Sequence, residues 1–347
     1  FDAVSELISS ELDSLISKQE IDGASIGVYY KGKTYEFHKG ELTKGIKTPP
    51  TKETIYEIGS LTKTFSGVIL AQAITEGKVT LDDDIRIYLK DDFPNLAYQG
   101  NPITFRHLVT HRSGLPIIFP NKPELFDNPD HEKLPFLITE LQEGFSKEDF
   151  FTELHNVKID TIPGAKFGYS NPGASLLGFC LENIYNMSFE DILKGKILGP
   201  LKMENTKITL TEKDKTFLAQ GYNGKNIKMP FRPEMPINAA GGIVSNIGDM
   251  MKYVAFHLDQ ENDVVKVSHN KLLGLWDDFD NGLFWQIFID KDKPDIIFQN
   301  GGTFGTSSWL TLIPEHQIGV LIITNKKGNK THSHLSNTVD RIIEGLK

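Results

Sequence analysis

Val4, Leu7, Ile8, Leu12, Leu15 and Ile16 recur at helical spacing with polar residues between them, which predicts an amphipathic helix within 2–19 laid against an apolar surface. Two β-rich runs, 24–30 and 34–38, follow on either side of Lys31-Gly32-Lys33 and predict a hairpin. The far end repeats the pattern. Positions 307–313 and 317–324 read as a strand pair, and Leu335, Val339, Ile342, Ile343 and Leu346 as a closing helix. The simplest topology is one antiparallel sheet built from both ends of the chain and flanked by the terminal helices, with a long, mostly helical middle section inserted, an α/β fold of the α+β kind.

Between these ends no internal repeat is visible. The stretch 117–146 carries four prolines and four phenylalanines among acidic residues and has little regular periodicity. Two readings stay open for it, a substrate-covering loop and a packed surface loop. A length of 347 residues suggests about two structural units at roughly 150 residues each.

Composition narrows the function classes. Acidic side chains outnumber basic ones by 46 to 37, and a net charge of −9 leaves no whole-chain footprint for nucleic acid or for an anionic membrane. No apolar run approaches the roughly 18 residues needed to span a bilayer. Cys180, the one cysteine, excludes an internal disulfide and a cysteine-based zinc site, and its apolar neighbours predict a buried thiol. The chain opens at Phe1 and enters a helix at once, which leaves room for a removed signal or anchor segment.

Three apparent motifs are set aside on context. The segment 27–34 satisfies the P-loop pattern letter for letter, but its interior is made of strand formers and 34–37 continue as strand where a phosphate cradle needs a helix N-terminus. His107 and His111 have helical zinc spacing, but Leu108 stands where a metalloprotease needs its glutamate, and His332 and His334 have no third ligand in view. All four read as structural, and neither metal nor organic cofactor is expected.

Ser60-Leu61-Thr62-Lys63 puts a hydroxyl and an amine on one face of a helix that begins here, between Gly59 and Gly77, and is apolar nearly all round. A serine in the first turn lies where free N–H groups favour a developing anion, and a lysine in so dry a helix loses basicity enough to act as a base. With 19 serines and 32 lysines the spacing also arises by chance, and Ser268-x-x-Lys271 is a second instance in a polar stretch with no buried helix after it. Independent support comes from Tyr169-Ser170-Asn171, where a phenol beside an ammonium can shuttle protons and an amide can position lysine or substrate. Asn300-Gly301-Gly302-Thr303 precedes the strand at 307, and its glycines would let a substrate backbone approach closely.

With these three elements, 104–115 (TFRHLVTHRSGL), 200–206 (PLKMENT) and 240–250 (AGGIVSNIGDM) complete a set whose order along the chain resembles the serine hydrolases of the penicillin-binding protein and class C β-lactamase type, including their family VIII esterase relatives. The resemblance covers nearly the whole chain. It implies that Ser60 is the acylated nucleophile, that Lys63 and Tyr169 share acid and base duties, that Asn171 positions substrate, and that the N–H groups of Ser60 and Thr303 hold the oxyanion. Asn300, Gly301, Gly302 and Thr303 would border the substrate. It also implies a sheet domain of 1–58 with 207–347, an inserted helical domain of 59–206 and an active site in the cleft between them. The substrate would be a small-molecule or peptide acyl compound, and the protein bacterial and exported, with a cytoplasmic place and the oligomeric state left open.

One departure matters. In peptidases and β-lactamases of this type the third motif usually opens with a lysine or histidine that helps bind a substrate carboxylate, and here the position is the neutral Asn300. The expectation is weakened carboxylate recognition, favouring an esterase or a D-amino-acid-type peptidase over an efficient β-lactamase, unless Arg232 or Lys225 brings the charge from another loop. A non-catalytic protein of the same fold that binds cell-wall peptide or a partner is the alternative.

Overall fold

The computed structural model describes residues 2–347. A seven-stranded, fully antiparallel sheet runs β2-β1-β7-β6-β5-β4-β3, where β1 is Gly23–Tyr30, β2 Lys33–Gly40, β3 Phe279–Asn281, β4 Gln286–Asp290, β5 Lys293–Gly302, β6 Ser307–Ile313 and β7 Ile318–Thr324. The N-terminal hairpin docks directly on the C-terminal strand, with Ile26 opposite Ile322 and Val28 opposite Val320. As expected of the false P-loop, Lys31 and Gly32 form the tip of this hairpin, both at positive φ, the conformation that suits a two-residue turn to strand twist.

Strand alternation splits the core in two. Ala24, Ile26, Val28, Val320 and Ile322 meet helices α1 (Ala3–Ile16) and α5 (Thr331–Leu346), which contribute Ile8, Leu12, Leu15, Leu335, Val339 and Ile342. Asp2 caps α1 by accepting from Ser5 N–H at 2.9 Å. The opposite face packs on α4 (Ile247–His257), where Gly319 leaves the room that Val254 fills; a Cβ there would lie 2.2 Å from it.

The middle section is helical as its pattern predicts, with helices α2 (Thr62–Thr75) and α3 (Asn171–Tyr185) at its centre. Helix α2 is buried nearly all round, from Phe65 and Val68 to Ala73. Cys180 is buried in α3 as expected. The stretch 117–146 is more regular than its composition suggested, with a 3₁₀ turn at Pro123–Phe126 and a helix at Leu134–Gln142. No helix among the described residues is long and apolar enough to cross a membrane.

Buried histidines are the fold's titratable weak points. His257 Nδ1 and His269 Nε2 lie 3.0 Å apart beneath Trp285, which requires one donor and one acceptor, and His257 Nε2 has no partner. Burial holds His257 well below the ordinary histidine value, and lowers His269 and His111 to about 3. Folded values below the unfolded one, about 6.5, mean that the unfolded chain takes up protons first, so stability is complete above that pH and falls as pH drops through it. Urea unfolding followed between pH 7 and pH 5, above the carboxylate range, should therefore show a falling midpoint. A midpoint flat over this interval would contradict neutral burial of these rings.

Candidate active site

The turn that carries Ser60 is a single 3₁₀ turn, Gly59–Leu61, leading into α2. It lies against the end of β5 at backbone contact. A Cβ on Gly59 would fall 2.7 Å from Gly302 N, and one on Gly301 would fall 2.1 Å from Ile58 O. Gly301 is therefore glycine to admit the chain's own turn rather than a substrate backbone.

Lys63 follows one helical turn later and is fully buried. Its Nζ donates to Ala240 O at 2.7 Å, to Asn171 Oδ1 at 2.8 Å and to Ser60 Oγ at 3.2 Å. Two of these acceptors are carbonyls, which cannot donate. A neutral amine would thus keep its two N–H bonds to them and turn its lone pair to Ser60, whereas an ammonium uses all three. The Ser60 and Tyr169 hydroxyls lie 2.6 Å apart. Burial lowers Lys63 below the usual lysine value, against the pull of Tyr169, and the Arg232 charge lowers it further. Burial alone would raise Tyr169, but the Lys63 charge, hydrogen bonds with Lys63 and Ser60, and Arg232 outweigh it and leave the phenol below its ordinary value.

The loop holding Tyr169 and Asn171 is built by its own sequence. Ser170 caps α3 by accepting from Gly173 N–H at 2.9 Å, while its hydroxyl donates to Pro116 O at 2.7 Å. His111 accepts from Ser170 N–H at 3.2 Å, and its ring lies 4.3 Å from that of Tyr169. His107 instead closes the capping box of the helix at Phe105–Val109 with Thr104. Both histidines are structural, as expected.

The third motif is only partly brought to the site. A cavity of about 460 Å³ is lined by Ser60, Tyr169, Asn171, Gly302 and Thr303, but not by Asn300 or Gly301. Asn300 pairs across the strands with Trp309, on the sheet face that packs toward the terminal helices, so its neutral amide does not face the cleft. Thr303 donates its N–H to Thr306 O at 3.1 Å and its hydroxyl to Glu57 Oε2 at 2.9 Å, so its amide is engaged in its own turn where an oxyanion donor was expected.

The rest of the wall divides by polarity. Ile117, Ile118, Phe119, Phe126 and Ile138 bring the 117–146 stretch into it, which favours the substrate-covering reading of that segment. Arg232 and Lys327 also line the cavity. Lys225 is instead tied to Glu132 in an ion pair, with its side chain 73% exposed. Lys327 escapes a sequence reading because its neighbours Asn325, Lys326 and Gly328 form no motif around it.

The Beta-lactamase family model matches residues 6–343. The chain is similar to a beta-lactamase of Escherichia coli K12, 26% identical over 93% of this chain and 89% of that protein. It is also similar to protein flp of Staphylococcus aureus N315, 24% identical over 89% of this chain and 61% of that protein. In fold it matches a beta-lactamase/D-alanine carboxypeptidase of Yersinia pestis complexed with citrate, with a TM-score of 0.77 and 23% identity over 99% of this chain and 98% of that one. With its family model matched almost from end to end, the chain belongs to the Beta-lactamase family and is a serine hydrolase.

Proposed function

We propose that Ser60 is the nucleophile of an acyl-serine hydrolase acting on esters or D-amino-acid peptides in preference to efficient turnover of β-lactams. The observation that carries this reading is the Ser60 hydroxyl held 2.6 Å from Tyr169 and 3.2 Å from the buried Lys63. Ser60 Oγ attacks the acyl carbonyl as its proton passes to Tyr169 or to Lys63, and the same proton is then delivered to the departing alcohol or amine. Water repeats the sequence in reverse on the acyl-enzyme and restores Ser60. Asn171 keeps Lys63 aimed at Ser60, and the N–H groups of Ser60 and Thr303 face the developing oxyanion once Thr303 shares or releases its turn bond. The sheet unit, 1–58 with 207–347, and the helical unit, 59–206, close the cleft from two sides. In this reading the enzyme is bacterial and exported.

Intact-protein mass after brief exposure to a 4-nitrophenyl ester, and separately to a penicillin, tests the nucleophile. An adduct or turnover present in wild type and absent in Ser60→Ala is expected, with the ester favoured. Stable penicillin labelling would point instead to a cell-wall peptidase, and inertness toward both donors would favour a binding protein of the same fold.

The proton relay has its own signature. Lys63→Met is expected to lower kcat by about 100-fold or more, the scale of a lost acid–base group. Because the Lys63 charge holds Tyr169 below its ordinary value, its removal should also move the ascending limb of the pH–rate profile to higher pH, while Lys63→Arg leaves the limb nearer its original place. An unmoved limb in Lys63→Met would remove Tyr169 from the role of base.

A further inference from the structure

The stretch 117–146 is anchored at both flanks and loosely tied between them. At the near flank Ile117 O accepts from Asn171 N–H at 3.1 Å and from Asn171 Nδ2 at 3.3 Å, so it starts from the residue that holds Lys63. Asn121 N–H then donates to Glu153 Oε2 at 3.0 Å. At the far flank the helix Leu134–Gln142 is tied back through Gln142, whose Nε2 donates to Phe119 O at 2.8 Å. The residues between, 122–133, hold one 3₁₀ turn, Pro123–Phe126, and otherwise bond to their neighbours in sequence.

Among the described residues, one hydrogen-bonded ion pair alone joins 122–133 to a distant part of the chain, that of Glu132 with Lys225. Lys225 sits in a turn fastened to the cavity wall. Its N–H and that of Ile227 both donate to Asn223 Oδ1 at 2.9 Å, and Gly224 N–H donates to the backbone O of Lys327, a lining residue, at 3.1 Å. Phe126, from the same loop as Glu132, lines the cavity at Ser60. The loop thus places an apolar ring in the cleft while its carboxylate is bonded to the turn behind Lys327. An exposed ion pair is weak, is screened by salt and carries little of a fold's stability, which suits a tie that opens and closes.

We infer that 122–133 is a lid clasped across the cleft by Glu132 and Lys225, and that Phe126, carried on it, limits the length of the apolar acyl group the cavity admits. This rests on the acyl-serine reading and deepens it. The substrates are acyl compounds with a short apolar acyl group, and longer chains enter only as the clasp opens.

The test is the ratio of kcat/KM for 4-nitrophenyl octanoate over 4-nitrophenyl butyrate, two neutral esters that differ in chain length alone. Wild type should favour the butyrate. Glu132→Gln and Lys225→Gln should each raise the ratio about two- to fivefold, the scale of one exposed ion pair, and the double variant should raise it no further. Raising salt from about 0.1 to about 1 M, which shortens the screening length from about 10 to about 3 Å, should raise it in wild type and not in Glu132→Gln. Phe126→Ala should raise it about tenfold or more, the scale of one methylene in an apolar pocket. Lys330→Gln, at an exposed lysine outside the cavity, should leave it unchanged. A ratio unmoved by Phe126→Ala, unmoved by either glutamine variant, or raised additively by the two overturns the inference. Chymotrypsin cutting after Leu125 or Phe126, followed by mass in Ser60→Ala, separates the lid from the chemistry. Faster cutting when Glu132→Gln is added sustains the lid even where wild type turns over no ester, an outcome that defeats the hydrolase reading alone; equal cutting overturns the lid.

Discussion

One buried charge organises the site. Moving a lone ammonium out of water costs several kcal/mol, and Lys63 is tolerable at zero exposure only because Ala240, Asn171 and Ser60 meet its three protons. Those partners lie on three separate segments, so the same bonds that make the lysine acceptable join α2 to the Tyr169–Asn171 loop and to the turn at 240. The residues that do the chemistry are thus also tertiary ties, and a change in any one of them removes a partner from a group that has no water to replace it.

A second constraint acts through the backbone. The Ser60 turn reaches the end of β5 only because Gly59, Gly301 and Gly302 bear no side chains where the two chains meet. The position of the nucleophile is therefore referenced to the sheet. Because β5 sits one strand from β6 and two from β7, which pairs with the N-terminal hairpin, both ends of the chain fix the strand on which the Ser60 turn rests. Glu57 adds to this tie from below. Its oxygens accept from Arg232 N–H and Thr303 Oγ, and burial raises its pKa against those bonds and the Arg232 charge.

The periodicity of the terminal segments was enough to place the sheet and its two covering helices, because each of those elements buries one clean face. Ser60, Lys63, Tyr169 and Asn171 were legible as well, since residue types that suit acid–base chemistry stand at spacings a helix and its cap enforce. What sequence could not show depends on which way a strand residue points at its end. Asn300 belongs to the motif but pairs with Trp309 away from the cleft, and Lys327 belongs to no motif but reaches the cleft from a strand end 24 residues beyond Thr303. Likewise the irregular composition of 117–146 hid a segment whose Ile117, Ile118, Phe119, Phe126 and Ile138 build a wall of the cavity.

The charge of the cleft opposes that of the chain, and the two act over different distances. A net charge of −9 repels an anionic substrate at long range, but salt at physiological strength screens that repulsion within about 8 Å. Inside the cavity the apolar wall lowers the local dielectric, so Arg232 and Lys327 act there with far less screening than any surface lysine. The acidic exterior is therefore felt weakly inside the cleft, where the two cations dominate the local field. No carboxylate lines that cavity, and Glu57, which accepts from Thr303 Oγ and the Arg232 N–H, supplies the negative charge that the Arg232 guanidinium feels from behind the wall.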